Sequence, residues 1–335
     1  MPTPPDLSSL SDRALLTEYA LRLRTAPAAC EEDRRLLLAP LLGSSLMPEG
    51  AQLNSALEGL SLEELGAALA NYCERNVPGH GDSRKELDDD GVTKQQRACA
   101  RSVALVVGRN SLEEQPDGSF KLDNQPLHER VKNLCRDEPF REQSTARGAR
   151  GTGFLFEDSL HLMTTNHVLL HPQEGDDPSA LRVVFGFHNL TNVTSLPAAS
   201  VFDVAHIESR SNDLMRLRLN RPVALDGIEP LTPSAHPVQP GSRVYAVGHP
   251  YGLPMKVTGS AGVSTATRPQ HLQADLDTYA CSSGSPVLHA ETHAVVGVAV
   301  RGAIIFHNDH ATDCQHSMLC SILYPGTEFV AIEHA

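Results

Sequence analysis

The second part of this chain consists of short segments that are rich in β-branched residues and bounded by turn residues. Such strands, repeated at even spacing, predict a β-barrel or a β-sandwich. The 24 Gly and 23 Pro among 335 residues also favour short elements over long helices. The clearest strand candidates are "SVALVV" (102–107), "GTGFLF" (151–156), "LHLMTTNHV" (160–168), "LRVVFGF" (181–187), "RVYAVG" (243–248) and "AVVGVAV" (294–300).

The first 78 residues have a helical pattern instead. In "RALLTEYALRLR" (13–24) the apolar residues recur at helical spacing, and Ser61 with Glu64 has the spacing of a capping box. Short amphipathic helices with tight links predict a small all-α bundle over residues 1–78. The Gly-rich, charged stretch 79–94 is typical of a linker, and residues 95–335 form the expected β domain.

Charge and cysteine usage indicate the environment and the partners. The formal net charge of −13 argues against nucleic acid or an anionic membrane as partner, because both require clustered Lys and Arg. The start of the sequence lacks the pattern of a secretory signal, so we expect a cytoplasmic protein. We accordingly expect its seven dispersed cysteines to be reduced: Cys30, Cys73, Cys99, Cys135, Cys281, Cys314 and Cys320.

Three residues in the β domain are candidates for acyl transfer by a serine nucleophile. This chemistry requires a base, a carboxylate that orients it, and N–H donors for the oxyanion. His167 lies in "LMTTNHVLL", Asp213 precedes an alternating strand, and Ser283 lies in "CSSGSPV". Each also has an ordinary interpretation, as a structural histidine, a turn-forming aspartate and a turn serine.

In chain order, these motifs resemble those of the trypsin-like (chymotrypsin-fold) serine peptidases. The similarity is greatest to the bacterial branch with glutamyl endopeptidases and HtrA-type enzymes, and it covers about residues 95–335. It rests on "GTGFLF…HLMTTNHV", "NDLMRLRLNRPV" (212–223), "VYAVGHPYGLPMKVTGSAGV" (244–263) and "CSSGSPV" (281–287).

The resemblance implies a fold and a set of roles. The expected fold is an all-β double six-stranded antiparallel barrel, with the active site in the cleft between the barrels and the α bundle before it. His167 would be the general base, Asp213 its orienting partner and Ser283 the nucleophile. The N–H groups of Cys281 and Ser283 would form the oxyanion hole, and no metal or cofactor is implied.

Cys281 stands where this family has glycine. That position usually takes a backbone conformation that few side chains tolerate. Three interpretations stay open: an oxyanion hole that forms only when substrate or a partner orders it, a redox-sensitive latch, or tolerated variation. Ser282 replaces the aspartate that pairs with a freed N-terminus in zymogen-activated relatives, so we do not expect that route of activation.

Asp277 precedes Ser283 by six residues, the spacing of the floor of the primary specificity pocket in trypsins. An aspartate there would select Arg or Lys, and Gly302 would leave the pocket mouth open. The alternative is local pairing of Asp277 with Arg301. "HNDHATDCQH" (307–316) contains possible zinc ligands, but its spacing favours a polar surface loop.

We therefore expect an intracellular serine endopeptidase that acts on proteins or peptides, with cleavage after Arg or Lys. The N-terminal bundle resembles, in size and position, adaptor domains of proteases in bacterial defence, and would regulate the enzyme through a protein partner. Equally open is a helical extension that only stabilises the barrel. Alternatives for the whole chain are a catalytically weak pseudoprotease that binds peptides, and a binding protein whose function lies in the bundle.

Overall fold

The computed structural model describes residues 82–169, 177–188, 195–211, 213–265, 270–302, 306–309, 314–317 and 327–332. The bundle predicted over residues 1–78 lies outside them. The helices described are α1 (Lys94–Arg101) and α2 (Leu127–Arg130). The strands are β1 (Val103–Gly108), β2 (Leu112–Glu114), β3 (Phe120–Leu122), β4 (Asn124–Pro126), β5 (Ser144–Ala146), β6 (Ala149–Leu155), β7 (His161–Thr165), β8 (Leu181–Phe185), β9 (Val201–Ser211), β10 (Leu214–Leu219), β11 (Arg243–Gly248), β12 (Lys256–Val257), β13 (Ala261–Thr265), β14 (His271–Ala274), β15 (Pro286–His289), β16 (Val295–Arg301), β17 (Phe306–Asp309), β18 (Cys314–Ser317) and β19 (Thr327–Ala331).

The first barrel is a closed ring of six strands in the order β1–β6–β7–β10–β9–β8. All of its pairings are antiparallel. Strand β10 shows the alternation that the sequence predicts, since Met215, Leu217 and Leu219 are buried and the residues between them are not. These side chains fill the barrel interior together with Val106 and Phe185.

The second barrel closes in the order β11–β13–β14–β19–β16–β15 and back to β11, with β12 added at the side of β11. Its interior contains Ala246, Val263 and Phe329. The described residues thus confirm the expected double six-stranded antiparallel barrel. A third apolar cluster joins the two barrels through Phe154 of the first and Leu288 of the second.

The predicted linker 79–94 differs from the structure in its described part. Residues 83–92 run along the second barrel, where Lys85 and Val257 exchange backbone hydrogen bonds of 2.8 and 3.0 Å. Leu87 and Val92 are buried in the cluster between the barrels. Asp88, Asp89 and Asp90 of this stretch are exposed, whereas Leu87 and Val92 are buried and anchor it, together with the buried side chain of Arg84.

The expectation that all cysteines are reduced is wrong for one pair, since Cys135 and Cys314 form a disulfide. The N–H of Cys135 donates to the carbonyl of Gln315 at 2.9 Å, which brings the two cysteine Cα atoms to 5.0 Å. That separation lies within the range a disulfide spans. Cys314 belonged to the candidate zinc residues, and in the structure its sulfur is bonded to sulfur.

Among the described residues, no helix has the length and apolar character that crossing a bilayer requires.

Candidate active site

His167 and Asp213 are brought together by two paired strands of the first barrel. His167 lies in the 3-10 turn Asn166–Val168 that follows β7, and Asp213 immediately precedes β10. Because Thr165 pairs with Leu214, the next backbone contact is a 2.8 Å hydrogen bond from the N–H of Asn166 to the carbonyl of Asp213. The side chains of His167 and Asp213 therefore start from neighbouring backbone positions at the same end of the strand pair.

Partial desolvation lowers the pKa of His167 below its usual value, the charge of Asp213 opposes this effect, and Arg301 adds to it. His167 is consequently biased towards the neutral form that a general base requires. In the part of the chain that the structure describes, no hydrogen bond joins the imidazole to Asp213 or to Ser283. Catalytic hydrogen bonds are often long or absent in unliganded proteins and tighten on substrate binding.

Ser283 lies on a tight turn that is bonded to both barrels. Its carbonyl accepts a 2.8 Å hydrogen bond from the N–H of Thr152 in β6, and the N–H of Gly284 donates to Ala299 of β16 at 2.8 Å. Gly284 has a φ of +88°, and a Cβ on it would lie 2.0 Å from the Thr152 carbonyl oxygen. Only glycine allows this approach, which explains the Ser-Gly pair in the motif.

A second glycine brings Ser283 and the histidine turn together. A Cβ built on Gly151 would lie 2.5 Å from Cγ2 of Val168 and 2.8 Å from the carbonyl oxygen of Ser283. Val168, which follows His167, and the carbonyl of Ser283 therefore both approach the backbone of Gly151, where a side chain would keep them apart. The structure brings all three predicted residues to the junction of the barrels, where the Ser283 hydroxyl now donates to the carbonyl of Val300 at 3.4 Å.

Cys281 adopts the glycine-like conformation that its position requires, with a φ of +69°. Its carbonyl accepts a 2.9 Å hydrogen bond from the Thr152 hydroxyl, and its thiol donates to the carbonyl of Ala149 at 3.6 Å. Burial raises the pKa of this thiol, with Arg130 acting in the opposite direction. The left-handed conformation costs a non-glycine residue on the order of 1–2 kcal/mol, which these contacts offset.

The two N–H groups expected to form the oxyanion hole have no acceptor among the described residues. The neighbouring Ser282 donates to the carbonyl of Tyr279 at 2.9 Å, whereas the N–H groups of Cys281 and Ser283 make no hydrogen bond there. Buried or partly buried N–H groups are nearly always paired, so two unused donors beside a serine hydroxyl suit an anion or a polarised carbonyl.

Asp277 and Gly302 lie on adjoining segments. A Cβ on Gly302 would lie 2.7 Å from the carbonyl oxygen of Thr278, the residue that follows Asp277. The Oδ2 atom of Asp277 accepts hydrogen bonds from the backbone N–H of Ser83, at 2.8 Å, and from its hydroxyl. Arg301, the alternative partner of Asp277, lies 3.9 Å from the carboxylate of Glu328.

The sequence did not reveal two residues that contact the site. Thr152 bonds the carbonyl of Cys281 and also accepts the N–H of His249 at 3.0 Å, and only its polarity inside an apolar strand could have indicated a role. Ser83 had no signal, since it lies in a charged stretch that resembles a linker. In the described residues, no group of three or more His, Cys, Asp or Glu is arranged to hold a metal ion.

Two closed antiparallel barrels with a serine turn at their junction define a chymotrypsin-like serine protease fold. Comparison with known families agrees, since residues 151–298 match the model of the trypsin-like peptidase domain. This part of the chain, which contains His167, Asp213 and Ser283, is therefore similar to trypsin-like peptidase domains.

Among solved structures, the human heparin binding protein is similar at 14% sequence identity and a TM-score of 0.45. That match covers 75% of this chain and 91% of the other. No curated protein matches the sequence.

Proposed function

We propose that this protein is a serine endopeptidase that hydrolyses peptide bonds through an acyl-enzyme formed on Ser283. His167 takes the proton of the Ser283 hydroxyl as its Oγ bonds to the substrate carbonyl carbon, and then gives that proton to the departing amine. Asp213 stabilises the imidazolium formed in between. The N–H groups of Cys281 and Ser283 stabilise the oxyanion, and water, deprotonated by His167, releases the acyl group.

The observation that carries this proposal is the meeting of the histidine turn and the serine turn at Gly151. Two segments more than a hundred residues apart in sequence converge on one backbone position, beside two N–H groups that have no acceptor among the described residues. The Ser283 hydroxyl needs only a rotation of its own side chain away from the Val300 carbonyl to become available to His167. A plain structural turn requires none of these arrangements.

Active-site labelling tests the proposal. A fluorophosphonate should modify Ser283 of the full chain, and mass spectrometry should locate the adduct on that residue. Ser283→Ala should abolish labelling, and His167→Ala should slow it by at least about a hundredfold, as expected for loss of a general base. His206→Ala, an exposed histidine of the same barrel, is the matched control and should label normally.

The proposed specificity is cleavage after Arg or Lys, supported by Asp277, which directly precedes the residue that Gly302 contacts. A carboxylate at that site would bind a guanidinium or ammonium group through charge-assisted hydrogen bonds. Asp277→Lys should abolish cleavage after basic residues, and labelling of Ser283 in the same variant reports whether the site is intact. Unchanged preference in that variant would remove Asp277 from the pocket.

We also propose that residues 1–78 regulate this activity through a protein partner, in a bacterial defence or signalling pathway. Support comes from the size and position of that part of the chain. Labelling of Ser283 should then differ between the full chain and one that begins at residue 79. Equal rates in the two proteins would count against regulation by this part.

A second candidate function is a pseudoprotease that binds peptides without cleaving them. It is favoured by Cys281 in a strained conformation and by the Ser283 hydroxyl, which donates to Val300 in place of His167. Absence of labelling and of cleavage in the full chain, combined with peptide binding that Asp277→Lys weakens, would support this function over the first.

A further inference from the structure

The segment that enters the second barrel contacts the candidate specificity pocket. Ser83 donates to Oδ2 of Asp277 through its backbone N–H, at 2.8 Å, and through its hydroxyl. The same hydroxyl oxygen accepts the N–H of Gly259 at 2.9 Å. Ser83 therefore uses its N–H and both functions of its hydroxyl to join the pocket aspartate to the turn after β12.

The fit around Ser83 is close. A Cβ on Gly259 would lie 2.8 Å from Cβ of Ser83, so the turn after β12 is in contact with this serine. Two residues later, Lys85 pairs with Val257 through hydrogen bonds of 2.8 and 3.0 Å. Both ends of the short segment are thus fixed, and Ser83 has little freedom to leave Asp277.

Arg84 fixes the opposite face of the segment. Its side chain is 5% exposed, and its guanidinium lies 4.0 Å from the ring centre of Tyr279 and 4.9 Å from that of Phe140. Tyr279 follows Asp277 by two residues in the loop that leads to Ser283. Cation–π contacts become stronger when the cation is desolvated, so this stacking holds the segment against the specificity loop.

We infer that Ser83 is a positioning residue that orients the Asp277 carboxylate for recognition of a basic substrate side chain. This inference rests on the proposed function, since it assigns a role in the same pocket. Two donors on one carboxylate oxygen fix the plane of the group. The geometry with which the carboxylate meets a substrate cation depends on that plane, whereas the chemistry at Ser283 does not.

The experiment compares substrates that differ only in the residue before the scissile bond, Arg in one and norleucine in the other. Ser83→Ala should lower the ratio of kcat/KM for Arg over norleucine about tenfold, which corresponds to loss of one hydrogen bond to a charged group. The change should lie in KM, and Ser83→Thr, which retains the hydroxyl, should restore the ratio. Ser200→Ala, in the first barrel, is the control for loss of a serine.

A double-mutant cycle separates this role from a general structural one. In an Asp277→Asn background, Ser83→Ala should have little further effect on the ratio, because its acceptor has lost its charge. Equal effects of Ser83→Ala in both backgrounds, with Ser283 still labelled, would overturn the inference and leave the proposed function intact. Failure of the parent chain to label or cleave would refute the proposed function itself.

Discussion

A buried histidine should make the second barrel sensitive to mild acid. His249 is fully buried, its ring is stacked on Phe187, and its Nδ1–H donates to the carbonyl of Leu253 at 3.0 Å. Its Nε2 has no hydrogen-bond partner among the described residues. Burial lowers the pKa of His249 to about 3, although the Leu253 carbonyl opposes this effect.

The magnitude follows from linkage between proton binding and unfolding. An unfolded histidine binds its proton near pH 6.5, whereas the folded form resists protonation down to about pH 3. The contribution of His249 to stability is therefore complete above pH 6.5 and is lost as the pH falls towards 3. Between pH 8 and pH 5 the loss is about 2 kcal/mol, at about 1.4 kcal/mol for each full pH unit.

The assay is urea unfolding of the full chain at several pH values between 8 and 5. His249→Asn should flatten the pH dependence by about 2 kcal/mol over this range, because Asn can donate to the same carbonyl but cannot take up a proton. His206→Asn is the control for removal of an exposed histidine. Identical slopes in the parent and in His249→Asn would refute the reasoning.

This titration also bears on the candidate active site. His249 begins the turn in which the N–H of Tyr251 donates to the carbonyl of Ala280 at 2.6 Å, directly before Cys281. Acid that opens this turn should therefore loosen the serine loop before the first barrel unfolds. Labelling of Ser283 should fall at a higher pH than the loss of the first barrel's structure.

Three further changes have expected outcomes. Cys281→Gly should raise the free energy of unfolding by up to about 1–2 kcal/mol, because glycine takes the left-handed conformation without strain, and a loss of stability in urea unfolding would show that the thiol contacts contribute more. Arg301→Gln should raise the pKa of His167, so the acid limb of the pH–labelling profile should move to higher pH, and an unmoved limb would contradict this. Glu86→Gln should lower the free energy of unfolding by about 3 kcal/mol, because it removes the carboxylate that lies 2.8 Å from the buried ammonium of Lys256. Adding Lys256→Met should recover most of this loss. Equal stability of the parent, the single variant and the double variant would show that the pair contributes little.

The barrels could be predicted from sequence because their strands have one face inside a core, so burial imposes a period of two. The loops that carry His167, Asp213 and Ser283 were found because each chemical role requires a particular residue type at a strand end or in a tight turn. The structure gives these residues the neighbouring positions that the motifs implied, and their roles stay a prediction.

Other features depend on contacts between distant segments, and local sequence does not reveal them. The Cys135–Cys314 disulfide joins residues 179 apart, and dispersed cysteines do not indicate their own pairing. Ser83 acts on Asp277 across 194 residues, and its surroundings in the sequence are charged and polar. The acidic residues that made the stretch 83–92 resemble a linker thus lie on the exposed side of an anchored segment.

The anchoring of residues 83–92 has a practical consequence for where this chain can be shortened. The family match starts at residue 151, and the helix before the first barrel starts at Lys94, so either point is an obvious start for a shortened chain. A chain begun there would uncover the edge of β12 and leave the apolar sites of Leu87 and Val92 empty. A shortened chain should therefore retain Ser83, because cleavage just after it would separate Ser83 from the segment that holds it against Asp277 and would leave Ser283 in place.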